Sequence, residues 1–216
     1  MKNKKEHCII RYQKYNFDYI GIPKTGSSTF KTSIWVSEGS LKENNIRNNL
    51  EFYKPLKKSL KYINPTDNNL YTVIHFRNPV ERFLSTFKDV TQGHKAHILI
   101  GQKPSNLFKD NLELFLDSIN DIQEEKRNVH LRSQSWFVKH ISVFDNHFIF
   151  RTEDYKPAIN SLNNILGLNL KLFHINDTNN IIKPNVNSNI INKIEKFYEN
   201  DFILWEKAKQ YETNKN

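Results

Sequence analysis

Three runs of apolar, β-branched and aromatic residues constrain this chain more than anything else in it: FDYIGI at 17–22, LYTVIHF at 70–76 and DNHFIFR at 145–151. Each has the length and composition of a buried strand, and each leads into a stretch with helical spacing. STFKTSIWVSEG follows the first, PVERFLSTFKDV (79–90) the second, and a helix from Glu153 to Leu166 that stops at Gly167 the third. In the second helix Val80, Phe83, Leu84 and Phe87 recur at the helix period. Pro79 suits its first position, where a missing N–H costs nothing. Strands separated by helices predict an α/β fold with a parallel sheet covered by helices on both faces. In such sheets ligands lie at the carboxyl ends of the strands, so the loops after the first two strands should carry the site.

The remaining stretches fill out a single domain over residues 1–216. Residues 41–62 read as a polar helix ending at the turn cluster NPTDNN, 107–139 as one or two amphipathic helices, and 187–211 as a terminal helix or helix pair. The chain ends, before about residue 10 and after about residue 210, are expected to be flexible. Only 38% of residues are hydrophobic, but 15 Phe and 9 Tyr supply bulky core material.

Composition narrows the setting. No run is long and apolar enough for a membrane helix, and the apolar segment in MKNKKEHCIIRYQKY is too short for a signal peptide. One cysteine, Cys8, excludes an internal disulfide and a cysteine-based zinc site; the expected compartment is the cytoplasm. A net charge of +9 implies either an anionic partner or a lysine-rich solvated surface. The lysines at 54, 57, 58 and 61 have helical spacing and read as a solvated face. The aromatic-interleaved glycine signature of an RNA-recognition sheet is absent, so no specific nucleic acid is expected.

The first loop, PKTGSST (Pro23–Thr29), places one of the chain's six glycines between a lysine and a row of hydroxyls. Where a strand ends and a helix begins, backbone N–H groups and the helix dipole favour an anion. Gly26 allows close approach, Lys24 adds positive charge, and Thr25, Ser27, Ser28 and Thr29 add hydroxyls. Gly21 and Gly26 have Walker A separation, but Ser27 stands where that motif has its lysine, which disfavours an ordinary ATPase or GTPase. In the second loop, VIHFRNPVERFLSTF, Arg77 follows the strand and Ser85 comes about two turns into the helix. A guanidinium fork and a hydroxyl there could share one phosphate.

As a pair, these loops resemble the sulfotransferase superfamily, which uses 3′-phosphoadenosine 5′-phosphosulfate (PAPS). PKTGSSTF resembles its loop for the 5′-phosphosulfate, and RNPVERFLSTF its 3′-phosphate element. VHLRSQSWFV, FIFRTEDY, FHINDTNN and FYENDFILW are similar to segments of the carbohydrate branch, so the resemblance runs from about Phe17 to Trp205. It implies a P-loop-like sheet and sulfonate transfer to a hydroxyl, less readily an amine, of a saccharide or glycoconjugate that can itself be acidic. Lys24 would stabilise the leaving phosphate, Pro23–Thr29 with Arg77 and Ser85 would hold the donor, and no metal would be required. His94 and His97 alone make a poor metal pair.

The general base is left open. Related enzymes generally place it between the two loops, but residues 31–74 contain no histidine. Glu38, Glu43, Glu51 and Asp67 are the carboxylates there, with Glu51 the candidate. His75, inside the second strand, and His130 are further candidates. His94 and Gln134 are candidate substrate contacts, with Arg132 and Lys139 on the same cleft wall and Trp136 in the core. Two other classes compete: a P-loop-like small-molecule kinase, and a non-catalytic binder of nucleic acid or acidic polysaccharide.

Overall fold

The computed structural model describes residues 9–43, 46, 71–92, 98–139, 147–173 and 186–213. In chain order the elements are β1 (Ile9–Tyr12), β2 (Phe17–Ile20), α1 (Ser27–Ser37), β3 (Tyr71–Phe76) and α2 (Pro79–Thr91). A short ribbon of β4 (Leu99–Ile100) and β5 (Lys103–Pro104) leads to α3 (Leu112–Asn120) and α4 (Gln134–Val138). Then come β6 (His147–Arg151), α5 (Tyr155–Leu166), α6 (Ser188–Phe197) and α7 (Glu199–Thr213).

The main sheet runs β1-β2-β3-β6, with β2, β3 and β6 mutually parallel and β1 antiparallel at the edge. The three expected strands are therefore the three parallel ones, and helices cover both faces. Strand alternation sorts the side chains. Ile10, Tyr12, Phe17, Tyr19, Val73, Phe148 and Phe150 face one way and pack on Phe30 and Ile34 of α1 and Ala158, Ile159 and Leu162 of α5. Ile9, Ile20, Ile74, Phe76 and Ile149 face the other way, against Trp136–Val138 of α4 and Leu204, Trp205 and Ala208 of α7. A third cluster joins α2, α3 and α6 through Phe83, Phe87, Phe115 and Ile194.

Sequence periodicity has no signal for β1. It is locked by a pair that only the register creates: Arg11 lies opposite Asp18 and forks onto both carboxylate oxygens at 2.9 Å. The 107–139 stretch resolves into α3 and the short α4, and the terminal stretch into α6 and α7 with a break at Tyr198. α5 ends as expected at Gly167, whose φ of 62° is left-handed. The polar helix expected at 41–62 lies almost wholly outside the described residues.

Candidate active site

The first loop turns sharply between β2 and α1. Lys24 and Gly26 both have left-handed backbones, with φ of 66° and 87°. Glycine takes this conformation freely, whereas a residue with a Cβ pays about 1–2 kcal/mol for it, so the strain sits on Lys24. Thr25, fully buried, steadies the turn: its hydroxyl donates to the Ile22 carbonyl at 3.0 Å. Its own carbonyl accepts from the Thr152 hydroxyl at 2.7 Å, which also reaches the Phe76 carbonyl at 3.1 Å. One hydroxyl after β6 thus ties together the ends of β2 and β3. Helix α1 then starts at Ser27 with Gly26 as its cap residue and no side-chain cap. The N–H groups of its first turn are left for an anion, beside the half-buried Ser27, Ser28 and Thr29.

The second loop is built more rigidly. Asn78 caps α2, accepting from Val80 N–H at 3.0 Å and Glu81 N–H at 3.2 Å, and Pro79 follows it in the first helical turn. Glu153 accepts from Asn78 N–H at 2.8 Å and from the Trp205 indole at 3.1 Å, which links this loop to α7. The main chain of Arg77 is gripped on both sides by Gln134. The Arg77 N–H donates to Oε1 at 2.9 Å, and Nε2 donates to the Arg77 carbonyl at 2.8 Å.

Three cations join the loops. The Arg77 guanidinium donates to the Lys24 carbonyl at 3.3 Å and lies 3.8 Å from Glu81. Arg82, only 1% exposed, donates through Nε to the Pro23 carbonyl at 3.0 Å and through Nη2 to the Arg132 carbonyl at 2.8 Å. Lys24 Nζ stands 3.3 Å from Asp89 on α2. Glu81, Ser85 and Asp89 are successive members of one helix row, so the face carrying Ser85 is the face turned to Lys24. Burial pulls the Lys24 ammonium below the ordinary lysine range; Asp89 opposes this, and Arg77 and Arg82 add to it. Burial likewise lowers the Arg77 guanidinium, against Glu81 and Glu153. These are partly desolvated cations, held at the end of a parallel sheet beside an uncapped helix.

The structure therefore brings Pro23, Lys24, Gly26, Ser27, Ser28, Thr29, Arg77 and Ser85 into one region. Three expectations need correction. Thr25 does not offer its hydroxyl to a ligand, because that group closes the loop from inside. Gln134 is not on an open wall: it is fully buried, with its carboxamide taken up by Arg77. His75 is not placed to act as a base. It is fully buried on the α1/α5 face, its Nε2 lies 2.6 Å from the Tyr19 hydroxyl, and burial lowers its pKa to about 3. Its neighbours along the strand, Ile74 and Phe76, face the opposite side.

His130 is half-buried on the turn before α4, its N–H donating to Asn128 at 3.1 Å. Trp136 is in the core as expected, with Arg132 and Lys139 lying over its ring at 4.1 and 4.6 Å. Glu51, His94 and His97 lie outside the described residues. Among the described residues no three His, Cys, Asp or Glu side chains are grouped to hold a metal, and no helix is long and apolar enough to cross a membrane.

Sequence reasoning missed Arg82 and Asp201. In α2 the buried stripe is Pro79, Arg82, Phe83, Thr86, Phe87 and Val90, so Arg82 falls on the core row, and that spacing was the available signal. Asp201 of α7, fully buried, accepts from Gln134 N–H at 2.7 Å and Ser135 N–H at 2.8 Å. Burial pushes its carboxyl up, while the field of Arg82 holds it down. Through Asp201 and Gln134 the terminal helix supports the backbone of Arg77.

Searches of curated proteins and of solved structures return no match. The model of the sulfotransferase family matches residues 7–208, which takes in both loops, all four strands of the main sheet and the helices that support them. With nearly the whole chain matched, the protein belongs to the sulfotransferase family.

Proposed function

We propose that this protein transfers a sulfonate group from PAPS to a hydroxyl, less readily an amine, of a saccharide or glycoconjugate. The observation that carries the reading is the junction of the loops: Lys24, beside an uncapped helix start, is tied through its own carbonyl to Arg77, the candidate 3′-phosphate ligand. A donor with a phosphosulfate at one end and a phosphate at the other matches that pair of anion sites; ATP lacks the second anion. The donor supplies an activated sulfonate on a phosphate leaving group. The chain's part is to hold both ends and to neutralise charge where the bond breaks. Ser27, Ser28, Thr29 and the first N–H groups of α1 would hold the 5′ end, and Arg77 with Ser85 the 3′-phosphate. Lys24 would meet the bridging oxygen as charge grows on it.

The basic net charge of +9 supports an acceptor that is itself acidic. A cytoplasmic setting, consistent with the single cysteine, is part of the proposal.

The reading is tested by incubating the protein with ³⁵S-labelled PAPS and a panel of desulfated and sulfated oligosaccharides, with γ-³²P-ATP as the competing donor. Label from PAPS should enter at least one saccharide, at a hydroxyl, and label from ATP should enter none. Phosphate transfer from ATP would replace this reading with a kinase.

A further inference from the structure

Arg77 stands one residue past the end of β3, whose pairing with β6 stops at Phe76 and Arg151. Its main-chain N–H and carbonyl are both met by one side chain, the Gln134 carboxamide, at 2.9 and 2.8 Å. A carboxamide presents an acceptor and a donor together, so it fixes the direction of the main chain at 77 much as an added strand would. Gln134 is itself immobilised. The two oxygens of Asp201 accept from the N–H groups of Gln134 and Ser135, and both Gln134 and Asp201 are fully buried. The next amide, that of Asn78, goes to Glu153, which receives the Trp205 indole on its other oxygen. Helix α7 thus grips two consecutive amides of the second loop, through Gln134 and through Glu153.

The consequence lies in the task given to Arg77. Its guanidinium holds Glu81 loosely, at 3.8 Å, and reaches the Lys24 carbonyl at 3.3 Å. The direction of the fork is therefore set largely by the main chain that carries it. A guanidinium grips a phosphate through two parallel bonds only when it is aimed correctly, and a misplacement of about 1 Å in such a group costs up to about 10²-fold. Resting on the donor reading above, we propose that Gln134, anchored by Asp201, is a positioning residue that sets the preference for a 3′-phosphate by acting through Arg77. The two loops have different props. Thr25, Thr152 and Arg82 bond to main-chain carbonyls at Pro23, Thr25 and Ile22, which shape the 5′ end. Both hydrogen bonds of the Gln134 side chain go to Arg77, the residue assigned to the 3′ end. Loosening Gln134 should therefore weaken recognition of the 3′-phosphate and spare that of the 5′-phosphate.

The test is calorimetric binding of adenosine 3′,5′-bisphosphate (PAP) and of AMP, which has the 5′-phosphate and lacks the 3′ one. The proteins are wild type, Gln134→Met, Asp201→Asn, Arg77→Ala, and Gln134→Met combined with Arg77→Ala. Methionine keeps the length of glutamine and makes neither hydrogen bond. Gln134→Met should lower PAP affinity about tenfold or more, the loss of one well-aimed charge-assisted bond, and leave AMP affinity within about twofold. On the Arg77→Ala background the same substitution should add little, because the two residues act as a unit. Asp201→Asn should lower the ratio of PAP to AMP affinity by about threefold or more. Removing a negative charge would by itself favour an anion, so a fall there reports geometry. That variant also decides the matter where Gln134→Met does not fold. A ratio within about twofold of wild type, with only the urea midpoint lowered, would overturn the assignment and leave Gln134 to the fold. Equal losses for PAP and AMP would overturn it too, as would a loss on the Arg77→Ala background as large as on wild type. In each of those cases a wild-type preference for PAP leaves the donor reading standing, whereas wild type without that preference removes both.

Discussion

Lys24→Ala lowers the turnover of PAPS by about 10²–10³-fold, the cost of removing one preorganised partner of a developing negative charge. The loss should appear in kcat rather than in the donor KM, because charge accumulates on the bridging oxygen only as the bond to sulfur breaks. Alanine is the right replacement here. It keeps a Cβ, so the left-handed φ of 66° costs about the same before and after. The pH dependence follows from the same group. The ammonium is the active form, so activity is present below the pKa of Lys24 and lost above it. Because burial lowers that pKa, the alkaline limb should come at a lower pH than an exposed lysine would give. Lys24→Arg, which stays charged, should abolish that limb. Turnover of Lys24→Ala within about threefold of wild type would remove Lys24 from the chemistry.

Arg82→Ala should cost about 3–5 kcal/mol of folding stability, the order expected when two buried carbonyls lose their donor and a large side chain leaves the core. Three losses coincide. The carbonyls of Pro23 and Arg132 lose their donors, and Asp201 loses the cation that offsets its burial. A large side chain that is 1% exposed also leaves a void. Arg82→Lys should recover little, because one ammonium cannot reproduce a fork that reaches two carbonyls on separate segments. Urea unfolding followed by fluorescence checks this: the midpoint should fall with the slope unchanged. A cost below about 1 kcal/mol would mean that the loop is held by something other than Arg82.

What could be read from the sequence has a physical pattern. The parallel strands were legible because β2, β3 and β6 are buried on both faces and so appear as short continuous apolar runs, each followed by helix periodicity. The two candidate loops were legible because a site proposed for an anion needs particular residue types at a strand end: a glycine, a lysine and hydroxyls at 24–29, an arginine at 77. Strand β1 was not, because four residues behind a basic leader carry little periodicity, and its anchor, Arg11 on Asp18, exists only once the strands are paired. Residue type also says nothing about which way a side chain faces. His75 and Gln134 have the chemistry of site residues, but His75 is enclosed between the sheet, α1 and α5, with its Nε2 2.6 Å from the Tyr19 hydroxyl. Gln134 points back into the core to hold Arg77. Asp89 escaped notice for a related reason: its ion pair is with Lys24, 65 positions earlier in the chain, and no local spacing connects the two.

The proposed function rests on the two loops forming one site for a donor with anions at both ends. Calorimetric titration of wild type with PAP, with AMP and ATP as controls, tests it most directly. PAP should bind at least tenfold more tightly than AMP or ATP, since the 3′-phosphate adds a charge-assisted contact to Arg77 worth about 1.5–3 kcal/mol. PAP that binds no better than AMP would contradict it, and Arg77 would then belong to the fold rather than to the donor site.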